Sequence, residues 1–424
     1  MQKLSLTSEQ IKFPANIFRL DNGLTVIHQH ISATPVVVTD VWVKAGASCE
    51  PEEWSGMAHF LEHMIFKGSP RVATGEFDWT IENSGGMANA ATSHDYAHFF
   101  LTTAASQLSN TLPYLADILL HASIPEDEFI RERNVVLEEI RSSNDDPDWL
   151  GFQALCQNIY KIHPYKRSIL GEEELLMQHS PNQMRCFHRT HYQPENMTVV
   201  MVGGIEQEAA ISLVNESFAE FSVRSECPSH IVEAEPPLVE IVRQELYLPR
   251  IGQARLTMAW LSVGTECLED AIALDLLSVI LAGGRCSRLV QELREEKQLV
   301  LDICSDFSLQ KDSSLFTIGA WLEPNNLDIV EKIISDRLLE LQEKPISPAE
   351  LNRSRRLLYN DYIFSTETPG QIAGVYGYYN TIARAEQSMM YPWIVNTLDA
   401  EQLQRVARQY LSPERYGITI LKPM

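Results

Sequence analysis

The stretch His59-Phe60-Leu61-Glu62-His63 puts two imidazoles and a carboxylate on one face of any helix it forms, because residues three and four apart are neighbours there. Two histidines one turn apart can grip one zinc ion, which needs a third protein ligand and an open position for water if it is to be catalytic. The best candidate for that ligand lies on a second helical run, Glu126 to Arg141, where Glu132 and Glu139 sit two turns apart on one face. Val135 and Val136, between them, are expected to pack inward, and Glu138, about 100° round the helix from Glu139, is expected to reach solvent. Taken alone, two acids on a helix are an ordinary solvated face. Beside the histidine pair they complete a set: His59, His63 and Glu139 as ligands of one zinc ion per chain, and Glu132 as acceptor for the other ring N–H of a ligand histidine. Zinc would lower the pKa of bound water to about 7 and polarise a carbonyl, while Glu62 would take the proton and pass it to the leaving amine. That is peptide hydrolysis without a covalent intermediate. The other histidines (28, 30, 94, 98, 121, 163, 179, 188, 191 and 230) form no comparable set.

Two such helices need a scaffold, and the chain around them reads as strands alternating with helices. Leu24 to His28, Val36 to Val43 and Met197 to Val202 read as strands, and Gly56 to Phe66 and Glu126 to Arg141 as helices. The proline-rich, weakly apolar stretch Ser222 to Glu240 reads as an exposed linker. The second half restates the first: Val36 to Gly68 and Ile251 to Gly284 share the order strand, acidic turn, helix, glycine, and Pro125 to Ile140 resembles the run SPAELNRSRRLLYNDY at a similar offset. The expected fold is α/β, an α+β sandwich type built by duplication: two domains of about 200 residues, each a mixed sheet covered by helices. The expected division is a zinc-binding domain at 1–222, a linker at 223–240, and a domain of the same fold without a metal site at 241–424. In the repeat alignment Asp275, Ser278 and Val279 stand opposite His59, Glu62 and His63.

The chain has 34 Lys and Arg against 57 Asp and Glu, a formal charge of −23, which argues against nucleic acid and anionic membranes as partners and fits basic or neutral ones better, the alternative being that acidity only keeps the protein soluble. Its seven cysteines contain no C-x-x-C pair, so neither a disulfide framework nor a cysteine zinc site is indicated, and a reducing compartment is expected. No run approaches the apolar length of a membrane span, and the start, MQKLSLTSEQIKFPANIF, lacks the pattern of a signal or transit peptide. The expected location is the bacterial cytoplasm, with an organelle matrix as the alternative.

HFLEHMIFKG followed by ERNVVLEEI resembles the zinc signature of the M16 metallopeptidases, the pitrilysin, insulinase and mitochondrial processing peptidase family of inverted zincins. The likeness extends over LDNGLTVI, GGMANAATSHDYAHF, YQPENMTVVMVGGI and AGGRCSRLVQELREEKQL, and the length is similar to the short M16B subunits, which pair into a clam shell around a chamber. The resemblance implies the same ligands, His59, His63 and Glu139, with Glu62 as base and Glu132 in support. It also implies that Asn89, Ala90 and Ala91 lie on an edge strand that pairs with extended substrate, where backbone hydrogen bonds would give affinity with little sequence demand.

The family further uses an Arg and a Tyr seven residues apart in its second domain; here Arg294 is present but Leu301 stands where Tyr would be. A leucine cannot donate to an oxyanion, and losing one such donor typically costs about a hundred- to a thousand-fold in rate. The resemblance therefore implies a zinc-bearing subunit whose second M16-type subunit supplies the Arg/Tyr pair, with a homodimer as the alternative. The expected activity is zinc-dependent endopeptidase action on unfolded, preferentially basic peptides. The competing readings are a non-catalytic scaffold subunit and a zinc protein that captures peptides without cutting them.

Overall fold

Strong β-formers make the central strands of the first sheet, with Asp40 their one charged residue, as they appear in a computed structural model that describes residues 12–228 and 232–424. The expectation about the chain's start therefore rests largely outside the described residues, as does His230. Strands β1 (Asn16–Arg19), β2 (Thr25–His30), β3 (Val36–Val43), β4 (Met87–Thr92), β5 (Ala97–Ala104) and β6 (Met197–Gly203) form one mixed sheet in the order β1-β2-β6-β3-β5-β4. β3 and β6 are buried on both faces and are mostly apolar, interrupted by Thr39 and Asp40 in β3 and Thr198 in β6, with Asp40 within hydrogen-bond distance of the His98 ring at 3.0 Å, whereas β5 alternates buried and half-buried residues over most of its length. β4 is the edge strand, with Ala88, Ala90 and Ala91 among its six residues. Helix α1 (Met57–Ile65) follows β3, and α2 (Glu126–Asn144) crosses beside it.

A second sheet holds β7 (Val242–Leu248), β8 (Ala254–Val263), β9 (Val300–Ser308), β10 (Ser313–Leu322) and β11 (Gly417–Pro423), in the order β7-β11-β8-β10-β9. This repeats the pattern β2-β6-β3-β5-β4: a parallel outer pair, then antiparallel neighbours out to an edge strand. α4 (Leu268–Ala282) takes the place of α1 between its strands. The two-domain α/β architecture with a mixed sheet in each domain is thus as the sequence implies, and β3 matches its expected bounds.

The spatial units are not collinear with the chain. One holds the described residues of Met1–Ser142, Arg167–Val232 and Ser365–Met389; the other holds Ser143–Lys166, Glu233–Phe364 and Met390–Met424. Each sheet has two apolar faces, and one face takes its cover from a helix of the other sequence half. In the first unit α5 (Pro369–Ile382) brings Ile372, Ala373 and Tyr376 against Val38, Trp42, Val200 and Val202. In the second, α3 (Pro147–Ile159) packs Leu155, Cys156 and Ile159 on Ala259 and Leu315. Gly377 is required on α5 because a Cβ there would lie 2.0 Å from the Trp42 indole nitrogen. The described residues between β6's following helix and β7 form no helix or strand over 220–241, yet the stretch is tethered: the Glu235 carboxylate accepts from the backbone N–H groups of Lys161, Ile162 and His163 at 2.7, 3.0 and 2.9 Å. Among the described residues no helix is long and apolar enough to cross a membrane.

Candidate metal centre

α1 is short, and its start is built by residues the motif does not contain. Gly56 precedes it at φ +86°, in the left-handed region, and a Cβ there would meet the Leu170 carbonyl at 2.7 Å. The fully buried carboxylate of Glu50 accepts from the N–H of Gly56 (3.0 Å) and of Ala58 (2.7 Å), satisfying donors that a helix leaves unpaired at its N-terminus. Arg167 ties the same turn by donating to the carbonyls of Ala47 and Glu50, both at 3.1 Å. Within α1, Phe60, Leu61 and Met64 are fully buried, and the Phe60 ring packs on Phe129 of α2 with centroids 4.6 Å apart. This apolar seam seats α1 on α2 and turns His59, Glu62 and His63 to one side.

There the rings of His59 and His63 stand edge to face at 4.8 Å. Oε2 of Glu139 lies 3.7 Å from Nε2 of His59 and 3.5 Å from Nε2 of His63, and one ligand atom from each residue falls within 4.8 Å of the others. These separations are too long for good hydrogen bonds but close to the spacing of about 3.3 Å between ligand atoms around a tetrahedral zinc ion. Among the described residues this is the one group of three such side chains that could hold a metal ion. The donor set suits zinc: burial drives the His59 pKa down to about 4, with nearby His63 adding to the effect, so its imidazole offers a lone pair.

The surrounding polar groups fix the histidine that is less buried. Glu132 accepts from Nδ1 of His63 at 2.9 Å, which leaves Nε2 of that ring facing Glu139. Lys67 pairs with the other oxygen of Glu132 at 2.6 Å. Burial alone would raise Glu132, but Lys67 and His63 hold its carboxyl below the usual range. For His63 burial alone would lower the pKa, and the carboxylates of Glu139 and Glu132 reverse the direction and raise it. The Glu139 carboxyl is held low, mainly by His63. Nδ1 of His59 is buried with no hydrogen-bond partner among the described residues, so Glu132 serves only one of the two rings.

Glu62 points to the same side, and Thr92 donates to its Oε2 at 2.6 Å. Burial raises the Glu62 pKa, and the Thr92 bond opposes that. Asn89, Ala90 and Ala91 lie on β4, paired with Phe100, Phe99 and His98 of β5, and among the described residues the far edge of the strand carries no neighbour in the sheet. The Ala90 N–H donates to the Asn89 side-chain oxygen at 2.9 Å.

The structure thus brings together His59, Glu62, His63, Glu132 and Glu139, with Asn89, Ala90 and Ala91 on the neighbouring edge. Arg294 belongs to the other unit, in a π-helical turn, Val290–Glu296, where it pairs with Glu295 at 3.0 Å and Asp302 at 2.9 Å. Leu301, on edge strand β9, is 53% exposed. Two details of α2 differ in outcome. Glu138 reaches solvent and pairs with Arg141, and Val136 is fully buried, but Val135 is 51% exposed: only one of two adjacent valines can face the core here, and the buried face of α2, with Phe129, Glu132 and Ile140, takes Val136.

Glu50, Lys67 and Thr92 are absent from the sequence reading. An acid upstream of a helix start is a recognisable anchor, which could have singled out Glu50. Lys67, one turn beyond His63, has a weaker signal of the same kind, and Thr92 has none. At the counterpart position in the second unit, the Asp275 carboxylate accepts from the Tyr391 hydroxyl, and the Ser278 hydroxyl donates to the Asp275 carbonyl at 2.7 Å.

Two family models match the chain: residues 25–173 match the one described as insulinase (peptidase family M16), and residues 179–358 match the one described as peptidase M16 inactive domain. An uncharacterized zinc protease of Bacillus subtilis, YmxG, is 28% identical over 96% of this chain and 98% of its own length. The zinc protease PqqE of Helicobacter pylori is also 28% identical, over 95% of this chain and 92% of its own. Among solved structures, a protease from Helicobacter pylori superposes with a TM-score of 0.90 at 27% identity, covering 96% of this chain and 99% of that one.

Proposed function

Because this chain belongs to the M16 peptidase family, we propose that it is a zinc-dependent endopeptidase of unfolded peptides, working as the zinc-bearing subunit of a clam-shell dimer. The observation that carries the reading is the convergence of His59, His63 and Glu139 within 4.8 Å beside the half-buried Glu62 carboxylate. Bound zinc would supply a Lewis acid that polarises the scissile carbonyl and acidifies water. His59 and His63 would hold it through Nε2 and Glu139 through a carboxylate oxygen. Glu132, itself fixed by Lys67, would keep the His63 ring in the required tautomer. Glu62 would take a proton at the oxygen not held by Thr92 and deliver it to the leaving amine. An extended peptide would pair with the free edge of β4 at Asn89, Ala90 and Ala91, and the charge of −23 favours basic peptides.

Leu301 supports a heterodimer whose other subunit supplies an Arg/Tyr pair, and with it a role for Arg294 that depends on that partner; a homodimer is the alternative. The same residue keeps open the capture of peptides without cleavage. The proposed location is the bacterial cytoplasm.

The test is cleavage of an unstructured, Lys/Arg-containing quenched fluorescent peptide by the zinc-loaded chain, with Glu62→Gln as control. Cleavage by the wild type that disappears in the control supports the peptidase. No cleavage with zinc bound, restored by a second subunit, supports the heterodimer. Cleavage that survives Glu62→Gln refutes the mechanism.

A further inference from the structure

A glutamate with three rotatable side-chain bonds has to present one oxygen to its substrate reproducibly, and among the described residues its side-chain hydrogen bond comes from outside α1. The partner comes from the sheet. Thr92 donates to Oε2 at 2.6 Å, leaving Oε1 as the oxygen open to accept a proton. Thr92 is the last residue of β4, paired with Ala97, and it lies half-buried on the same face of the strand as Ala88 and Ala90, while Met87, Asn89 and Ala91 turn the other way. The hydroxyl that fixes the base therefore stands one residue beyond the strand segment proposed to receive substrate.

We propose that Thr92 is a positioning residue that couples peptide pairing along the β4 edge to the orientation of Glu62. A peptide added to β4 gives that edge a new set of backbone hydrogen bonds and so restrains the backbone that carries the Thr92 hydroxyl. Substrate docking and alignment of the base are then joined through one strand. The inference rests on the peptidase reading, and its tests separate the two.

The variants are Thr92→Val, which keeps the branched shape and strand preference but removes the hydroxyl, and Thr92→Ser, which keeps the hydroxyl. Losing a hydrogen bond to a carboxylate predicts a fall in kcat of about ten- to a hundred-fold for Thr92→Val, with KM, zinc content and melting temperature unchanged, and recovery of most of the rate in Thr92→Ser. A Thr92→Val enzyme with wild-type kcat overturns the proposal, as does a loss that Thr92→Ser shares or one that follows loss of zinc. Should the wild type prove unable to cleave peptides at all, the peptidase reading fails by itself, and crystal structures of the zinc-loaded variants decide the coupling. A Glu62 carboxylate that leaves its position in Thr92→Val and keeps it in Thr92→Ser supports the coupling; an unmoved carboxylate in Thr92→Val overturns it.

Discussion

α1 and α4 occupy the same place in sheets of the same strand order, and only one of them carries a candidate metal centre. On α1 the inward-facing polar groups are an unfinished set. His59 and His63 reach Glu139 at 3.7 and 3.5 Å, too far for good hydrogen bonds, and Glu62 has one oxygen engaged. On α4 the counterpart groups satisfy each other: Asp275 takes the Tyr391 hydroxyl, Ser278 bonds the backbone of its own helix, and the Ser278 carbonyl receives the Ser305 hydroxyl at 2.7 Å. The fold is therefore compatible with both states, and what makes a site is a few polar side chains left facing one another. The supporting groups differ as well. α1 is anchored by Glu50 and backed by Glu132 and Lys67, whereas α4 is a long apolar helix held by packing, with Leu274, Leu276, Leu277, Ile280 and Leu281 fully buried.

The comparison breaks first at the ligands. Glu139→Ala and His63→Ala should take zinc content from one ion per chain to none, measured by elemental analysis, and abolish cleavage; a chelator should do the same reversibly, while Asp275→Ala leaves zinc content untouched. Glu62→Gln should keep the zinc and lower peptide cleavage by at least about a hundred-fold, the range of a general base. The support is worth less. Glu132→Gln should weaken zinc about ten- to a hundred-fold in a competition titration, and Lys67→Met less than that, because it acts through Glu132. Glu50→Ala strands two buried N–H groups at the start of α1 and should cost about 1–3 kcal/mol in urea unfolding, with Glu50→Gln costing less because an amide oxygen still accepts one bond.

The smallest effect sharpens the other side of the comparison. Burial pushes the Asp275 carboxyl up to about 6 from 3.8, against the Tyr391 bond and with Asp306 and Asp361 adding to the rise. Between those values the folded state holds a proton that the unfolded state has released, so this residue's contribution to stability falls as pH rises from about 4 to about 6. Asp275→Asn cannot titrate. The stability of the wild type relative to this variant should therefore decline across that window in denaturation curves, and a difference independent of pH would contradict the burial assigned to Asp275.

Much of the centre was legible because it is local. The spacing His59, Glu62, His63 fixes a shared helical face whatever else the chain does, and Glu132 with Glu139 does the same on α2. The repeat was legible for a similar reason, since like patterns of strand and helix fold alike, and the five strands of the second sheet repeat the order of β2 to β6 in the first, which adds β1 at its edge. Val135 shows the limit: periodicity allows one of two adjacent valines to face the core and does not say which, and packing chose Val136.

What the amino-acid sequence determined by itself is therefore the kind of chemistry: two histidines and a glutamate on one helical turn, a second acidic helix to meet them, and a duplicated α/β scaffold to carry both. Tertiary structure decided the rest. It selected Thr92 to hold Glu62 and Lys67 to hold Glu132, and it put Glu50 under the first turn of α1. It also covered one face of each sheet with a helix from the opposite half of the chain. The physical reason is range. Helical periodicity relates residues a few positions apart, whereas a hydrogen bond across 30 positions, or a helix packed on a sheet hundreds of residues away, exists only once the chain has closed on itself.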